Sequence, residues 1–323
     1  MTASSTADRE IVIERLINAP PQLVWDAWTD PKHVAEWWGP NGFTNTVQEM
    51  SVKPGGVFRL TMHGPDGTDY PNKIVFSEVK KPEKLVYAHG DDDGGPPHFH
   101  VTVTFTAKEN KTLMRMQSVF PSAAALKEVV EKYGALEGAY QHANRLAAHL
   151  LQRPIEPSTD APFVISRTFD APLDLVWKAW SEKDRMAQWF GPKGTTAEYA
   201  VFDFRPGGYN HYKLKFPTGQ ELWGKAVYRE IRKPNRLVWV NSFSDKHGGL
   251  TSHPFSPDPW PVELLTTIDF AESAGKTTVT VTWSPINPTT AERETFNKNL
   301  PNMNQGWGGT FEQLEEYLAA NRK

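Results

Sequence analysis

Apolar and polar positions alternate along most of this chain, the pattern of strands that bury one face. Ile11, Ile13 and the run Arg15-Leu16-Ile17 predict a first strand ending at Asn18-Ala19-Pro20. Pro20 and Pro21 suit the first turn of a helix through Trp28, where a missing N–H costs nothing. Asp30-Pro31 reads as an N-cap followed by Pro at the head of a second short helix, ending at Gly39-Pro40. Alternating segments follow at 43–50, 56–62, 73–79, 85–89, 99–106 and 112–119, punctuated by Gly, Pro and Asp at antiparallel-hairpin spacing. Ser122 then opens a helix predicted to run unbroken to Leu151, with Leu126, Val129, Tyr133, Leu136, Tyr140, Ala143 and Leu150 at helical spacing. Strands grouped in this way, flanked by helices, predict an α+β fold with one antiparallel sheet packed on a C-terminal helix.

The pattern occurs twice. Shifted by 152 positions, Val24-Trp25, Ala27-Trp28, Trp37, Gly39-Pro40 and Gly42 fall on Val176-Trp177, Ala179-Trp180, Trp189, Gly191-Pro192 and Gly194. Of the 80 positions from Ile11 to Gly90, 28 are identical without a gap. The offset grows to 165 at Phe105/Phe270 and to 168 at Gly138/Gly306, so the second copy carries longer loops. A period this long is a duplicated domain and not a solenoid repeat. We place the domains at 8–152 and 162–321, joined by a Pro-rich linker at 153–161. In the second copy Ser181 with Asp184 reads as a capping box, and the final helix as broken at Pro301.

Composition narrows the chemistry. The 323 residues carry a net charge of −3 and no basic half, so no nucleic-acid partner is expected. No run approaches the length of a membrane span, and no membrane partner is expected. The absence of cysteine excludes disulfides, thiolate metal sites and a Cys nucleophile, and the expected location is cytoplasmic. His98 and His100 flank the inward Phe99 and therefore point outward, so no metal site is expected, and no cofactor is implied. The unusual feature is aromatic content, with 12 Trp, 17 Phe and 9 Tyr.

The run N-A-P-P-Q-L-V-W-D-A-W-T-D-P-K-H-V-A-E-W-W-G-P, then K-P-G-G-V-F-R and S-E-V-K-K-P-E-K-L-V-Y, resembles the Hsp90-ATPase-activator-homologue family of the SRPBCC (START-like) superfamily. The second half matches with D-A-P-L-D-L-V-W-K-A-W, W-F-G-P, R-P-G-G and R-K-P-N-R-L-V-W, and closes on the helix-like G-W-G-G-T-F-E-Q-L-E-E-Y-L. The resemblance implies two tandem helix-grip domains. Each would be a curved seven-stranded antiparallel sheet around a long C-terminal helix, with two short helices after strand 1, enclosing a cavity for a hydrophobic small molecule.

Alternation nominates the residues facing such cavities. In the first domain these are Phe58, Met62, Tyr87, His89 and Met116 from the sheet, Tyr133 and Tyr140 from the helix, and Trp28 and Trp38 from the short-helix region. In the second they are Tyr209, Trp239, Asn241 and Trp283 from the sheet, Met303 and Trp307 from the helix, and Trp180 and Phe190. Trp223 joins them as one of the tryptophans that the first copy lacks. Glycines at 134 and 138, and at 306, 308 and 309, each cost about 0.5–1 kcal/mol in a helix relative to Ala, and missing side chains there leave volume for a ligand. The expected function is binding of a hydrophobic, aromatic small molecule in each domain. The alternatives are a cofactor-independent cyclase- or hydrolase-like enzyme using cavity His, Tyr and Asn as acid and base, and an Hsp90-type co-chaperone. The internal repeat also raises an intramolecular pseudo-dimer of the two domains.

Overall fold

The computed structural model describes residues 5–155 and 161–322. The chain divides after Leu150 into two compact units, and residues 156–160 of the expected linker lie outside the described residues.

The first unit opens with strand β1 (Glu10–Ile17) and the helices α1 (Pro21–Thr29) and α2 (Pro31–Trp37). Strands β2 (Thr44–Met50), β3 (Val57–His63), β4 (Asp69–Lys80), β5 (Lys84–Asp91), β6 (Phe99–Lys108) and β7 (Lys111–Val119) follow, then α3 (Ala123–Tyr133) and α4 (Ala135–Leu150). All strands pair antiparallel in the order β1-β7-β6-β5-β4-β3-β2, so β1 closes the sheet beside β7. The Asp30 side chain accepts from the Lys32 N–H, as an N-cap does, and Pro31 sits in the first turn. Ser122 caps α3 by accepting from Ala125 N–H.

The second unit repeats this with β8 (Phe163–Phe169), α5 (Leu173–Ser181), α6 (Lys183–Met186), β9 (Thr196–Phe202), β10 (Tyr209–Lys215), β11 (Glu221–Arg232), β12 (Arg236–Phe243), β13 (Leu264–Ser273) and β14 (Lys276–Pro285). Helices α7 (Thr290–Lys298) and α8 (Leu300–Ala320) end it. The strand order, β8-β14-β13-β12-β11-β10-β9, is that of the first sheet. Each unit is therefore a seven-stranded antiparallel sheet with helices, the helix-grip arrangement in tandem.

Identical residues make identical bonds in the two copies. The indole N–H of Trp37 donates to Ala27 C=O at 2.9 Å, and that of Trp189 to Ala179 C=O at 3.0 Å. Thr112 and Thr277, both fully buried on the last strand, donate to Ala19 C=O and Ala171 C=O at 2.7 and 2.8 Å. These bonds satisfy polar atoms that burial would otherwise penalise, and they fix the short helices to the sheet.

Two local expectations are corrected. The helix from Ser122 is not continuous: Gly134 adopts φ +63° and ends α3 in a left-handed cap, because only a residue without Cβ takes that conformation cheaply. Gly134 is thus a helix terminator and leaves no void. The Ser181/Asp184 capping box is also absent, since α5 runs through Ser181 and the cap position of α6 is Glu182. Its carboxylate takes the Arg185 guanidinium at 2.6 Å instead of a backbone N–H. The break at Pro301 is present, with Pro301 in the first turn of α8 after Asn299.

Candidate functional site

The site is a cavity of 590 Å³ in the second unit, between the inner face of the sheet, helix α8 and the β12–β13 connection, residues 244–263. The sheet contributes Tyr212 and Leu214 from β10, Leu222 from β11, Asn241 from β12, Leu264 from β13 and Trp283 from β14. Helix α8 contributes Met303, Gly306, Trp307 and Thr310, spaced i, i+3, i+4 and i+7 along the face turned to the sheet. Phe190 and Pro192 close one end, and His253, Phe255 and Trp260 of the long connection close the other.

Aromatic edges and faces meet around this space. Trp283 and Trp307 stand T-shaped at 5.5 Å, Phe190 and Tyr212 at 5.3 Å, and His253 and Trp260 at 5.6 Å. Gly306 supports the cavity directly: a Cβ built there meets nothing within 4 Å. Gly309 answers a different need, since its Cβ would lie 3.3 Å from Lys193 N, so it allows α8 to approach the loop after α6. Gln313, one turn on, holds that loop by donating to Trp189 C=O at 3.1 Å and Gly191 C=O at 2.8 Å.

The wall carries no Asp, Glu, Lys or Arg. Its titratable groups are Tyr212, whose phenol burial pushes upward, and His253, whose imidazole burial pushes down from its ordinary value. His253 Nδ1 accepts from Phe255 N–H at 3.2 Å, which leaves the ring proton on Nε2. Asn241 Oδ1 accepts the Thr266 hydroxyl.

Of the second-unit candidates read from the sequence, Phe190, Asn241, Trp283, Met303 and Trp307 line the cavity. Trp180 and Trp239 do not: their rings lie tilted against each other at 6.0 Å in the closed core behind it. Two assignments are corrected. Leu222 faces the cavity, so its neighbour Trp223 faces the opposite side of the sheet, where it stacks on His211 at 4.8 Å with the Lys213 ammonium above it. On β10 the inner positions are Asn210, Tyr212 and Leu214, so Tyr209 is buried on the other face. Tyr228 is fully buried and takes an Asn210 amide N–H at 2.6 Å on its hydroxyl.

The first-unit candidates divide otherwise. Trp28, Trp38, Phe58, Tyr87 and Met116 are packed core side chains, with Trp38 T-shaped to Trp28 at 5.5 Å and to Phe58 at 5.4 Å. Met62 packs beside them, close enough that a Cβ at Gly39 would strike its methyl at 2.7 Å. His89 bonds Asn72 Oδ1 through Nε2 at 2.9 Å, and burial lowers its pKa to about 4. Tyr140 lies under the Arg15 guanidinium at 4.9 Å, on the β1 side. Tyr133 is corrected: it is 67% exposed, because the helix stops one residue later.

Two features escaped the sequence reading. His142 of α4 sits among Trp28, Trp37 and Trp38 at centroid distances of 5.8, 4.8 and 4.8 Å, and accepts Gly39 N–H at 3.0 Å. A lone His at helical spacing carries no signal of this kind. The wall contributed by residues 244–263 did have a signal, the rise of the repeat offset from 152 to 165. Among the described residues no group of three His, Cys, Asp or Glu is placed to hold a metal, and no helix is long and apolar enough to cross a membrane.

Residues 18–151 and 170–319 each match the family model described as Activator of Hsp90 ATPase homolog 1-like protein. Among solved structures the chain is similar to an Arthrobacter aurescens protein, at 26% identity over 49% of this chain and 96% of that one, with a TM-score of 0.43. It is also similar to Ms6760 from Mycobacterium smegmatis, at 28% identity over 45% and 91%, with a TM-score of 0.41. DynU16, a protein of the dynemicin biosynthetic locus, is similar along 95% of this chain and 98% of its own, at 15% identity and a TM-score of 0.34. No curated protein matches the chain.

Proposed function

We propose, for a chain that belongs in both halves to the Activator of Hsp90 ATPase homolog 1-like family, that the second unit binds a neutral, hydrophobic, aromatic small molecule. The fold of this family generally binds hydrophobic ligands. The observation that carries the reading here is the 590 Å³ cavity walled by aromatic side chains, within the range of about 300–1,000 Å³ usual for small-molecule sites. A charged ligand would find no counter-ion on this wall, and desolvating its charge would cost far more than the apolar contacts return. The same lack of carboxylate and amine supports binding over proton transfer. The only imidazole on the wall is held neutral at pH 7, and the phenol stays protonated.

The test is quenching of tryptophan fluorescence by fluorene, a flat tricyclic hydrocarbon, with native mass spectrometry to count the bound molecules. Saturable quenching and one bound molecule are expected. Gly306→Trp places an indole in the cavity and is expected to abolish both. Quenching that never saturates, or that survives Gly306→Trp unchanged, overturns the reading.

A further inference from the structure

The polar groups on the cavity wall are unevenly committed. Two of its acceptors are consumed inside the protein: Asn241 Oδ1 takes the Thr266 hydroxyl, and His253 Nδ1 takes the Phe255 N–H. The donors on the same side chains, Asn241 Nδ2 and His253 Nε2, have no partner among the described residues, and both residues line the cavity. Asn299 at the edge differs, since both its groups are engaged: Oδ1 accepts from Asn302 Nδ2 at 3.0 Å, and Nδ2 donates to Thr295 C=O at 2.8 Å. Tyr212 and Ser242 add hydroxyls, which serve either way. No carboxylate is present to accept a hydrogen bond from a ligand.

Where Asn241 and His253 meet the cavity, the wall offers hydrogens and has spent the matching lone pairs, so it selects by the cost of unpaired groups. A ligand without an acceptor covers Asn241 Nδ2 and His253 Nε2 and strips them of water. A ligand whose polar atoms are donors does that and leaves its own N–H or O–H poorly matched as well. The geometry points to a planar aromatic ketone or quinone as the ligand class, its carbonyl oxygen met by Asn241 Nδ2 and His253 Nε2. This rests on the reading that the cavity holds an aromatic molecule, and it makes those two side chains the determinants of which aromatic is held. The lowered pKa of His253 agrees with it, because a neutral ring keeps one N–H and adds no charge.

Three probes of nearly one shape separate the possibilities: fluorene, with no polar group; 9-fluorenone, with a carbonyl; and carbazole, with an N–H. Their dissociation constants are measured by tryptophan quenching on the full chain. Fluorenone is expected to bind about tenfold more tightly than fluorene, and carbazole no more tightly than fluorene. In the double variant Asn241→Leu/His253→Phe the fluorenone preference is expected to vanish while fluorene still binds. Equal affinities for fluorenone and fluorene, or a preference for carbazole, overturn this inference and leave the aromatic-binding reading intact. Failure of all three probes to bind overturns both. The comparison on the unaltered chain decides the matter even if the double variant does not fold.

Discussion

Acid is expected to weaken the first unit through His142. Its imidazole is enclosed by three tryptophans, and Nδ1 holds the Gly39 N–H, so protonation breaks a hydrogen bond and places a charge among indoles. Burial, reinforced by the neighbouring Arg145 charge, lowers its pKa from 6.5 to about 3. The unfolded chain takes up this proton near pH 6.5, and the folded unit does not until far lower. The stability is therefore complete above the unfolded value and is lost progressively as pH falls toward the folded one. At 1.36 kcal/mol per unit of displacement, going from pH 7 to 5 costs about 2 kcal/mol through this one group. His142→Gln keeps an acceptor for Gly39 N–H and cannot titrate in this range. Native-state hydrogen exchange on peptides from α4 and β1 at the two pH values, corrected for intrinsic rates, reads the opening free energy of the first unit. The unaltered chain is expected to lose about 2 kcal/mol more than His142→Gln over this interval. Equal losses in the two proteins would refute the argument. His89, lowered to about 4 by burial, acts in the same window and with the same sign, so its replacement by Gln is expected to remove a further loss of similar size.

Three other outcomes are expected. Gly306→Ala adds a methyl where nothing lies within 4 Å and is expected to raise stability by about 1 kcal/mol in urea unfolding, whereas Gly306→Trp loses fluorene. Arg145 donates from Nη1 to Pro40 C=O at 2.7 Å and from Nη2 to Phe43 C=O at 2.9 Å, among other carbonyls of the loop after α2. Arg145→Ala is therefore expected to cost about 3 kcal/mol by urea unfolding, and Arg145→Gln, the residue type of the second copy, markedly less. Trp223→Phe, on the far side of the sheet from the cavity, is expected to leave fluorene affinity unchanged in the quenching assay.

The sheets were readable because alternation and a repeat offset are local and additive signals. Each strand declares one buried face, and the second copy declares it again. What failed was whatever depended on a single backbone conformation or on register. Gly134 could have been a helix residue or a terminator, and only its φ of +63° decides, carrying Tyr133 out to solvent with it. Trp223 stands out in the sequence by its absence from the first copy, yet a strand exposes its faces in turn and Leu222 takes the inner one. Tyr209 failed for the same reason against Asn210 and Tyr212. One side of the cavity wall comes from residues 244–263, where no periodicity exists to be read, and His253 and Trp260 gain their roles from the path of that loop.

Comparison of the two copies shows which parts of the unit are free to change. The contact between α2 and the end of α4 is an imidazole pair, His33 Nδ1 to His149 Nε2 at 3.0 Å; its counterpart is Arg185 Nη1 donating to Tyr317 Oη at 3.0 Å. The loop after α2 is gripped by Arg145, and its counterpart by Gln313, again through backbone carbonyls. Different side chains thus perform the same positioning, because what they bind is backbone, whose carbonyls stand in the same places in both copies. The wall behaves in the opposite way. His142, locked between indoles, stands where the second copy has Thr310, whose hydroxyl turns back to Gly306 C=O at 3.0 Å. A Cβ at Gly138 would meet Pro40 at 4.0 Å, while one at Gly306 meets nothing. A threonine in place of the imidazole, an open glycine one turn earlier and a longer loop together remove side chain from the helix face and supply a new wall beyond it. Those substitutions leave the grip of the helix on the sheet untouched, which is why a second copy of the same unit can hold a cavity without a different fold.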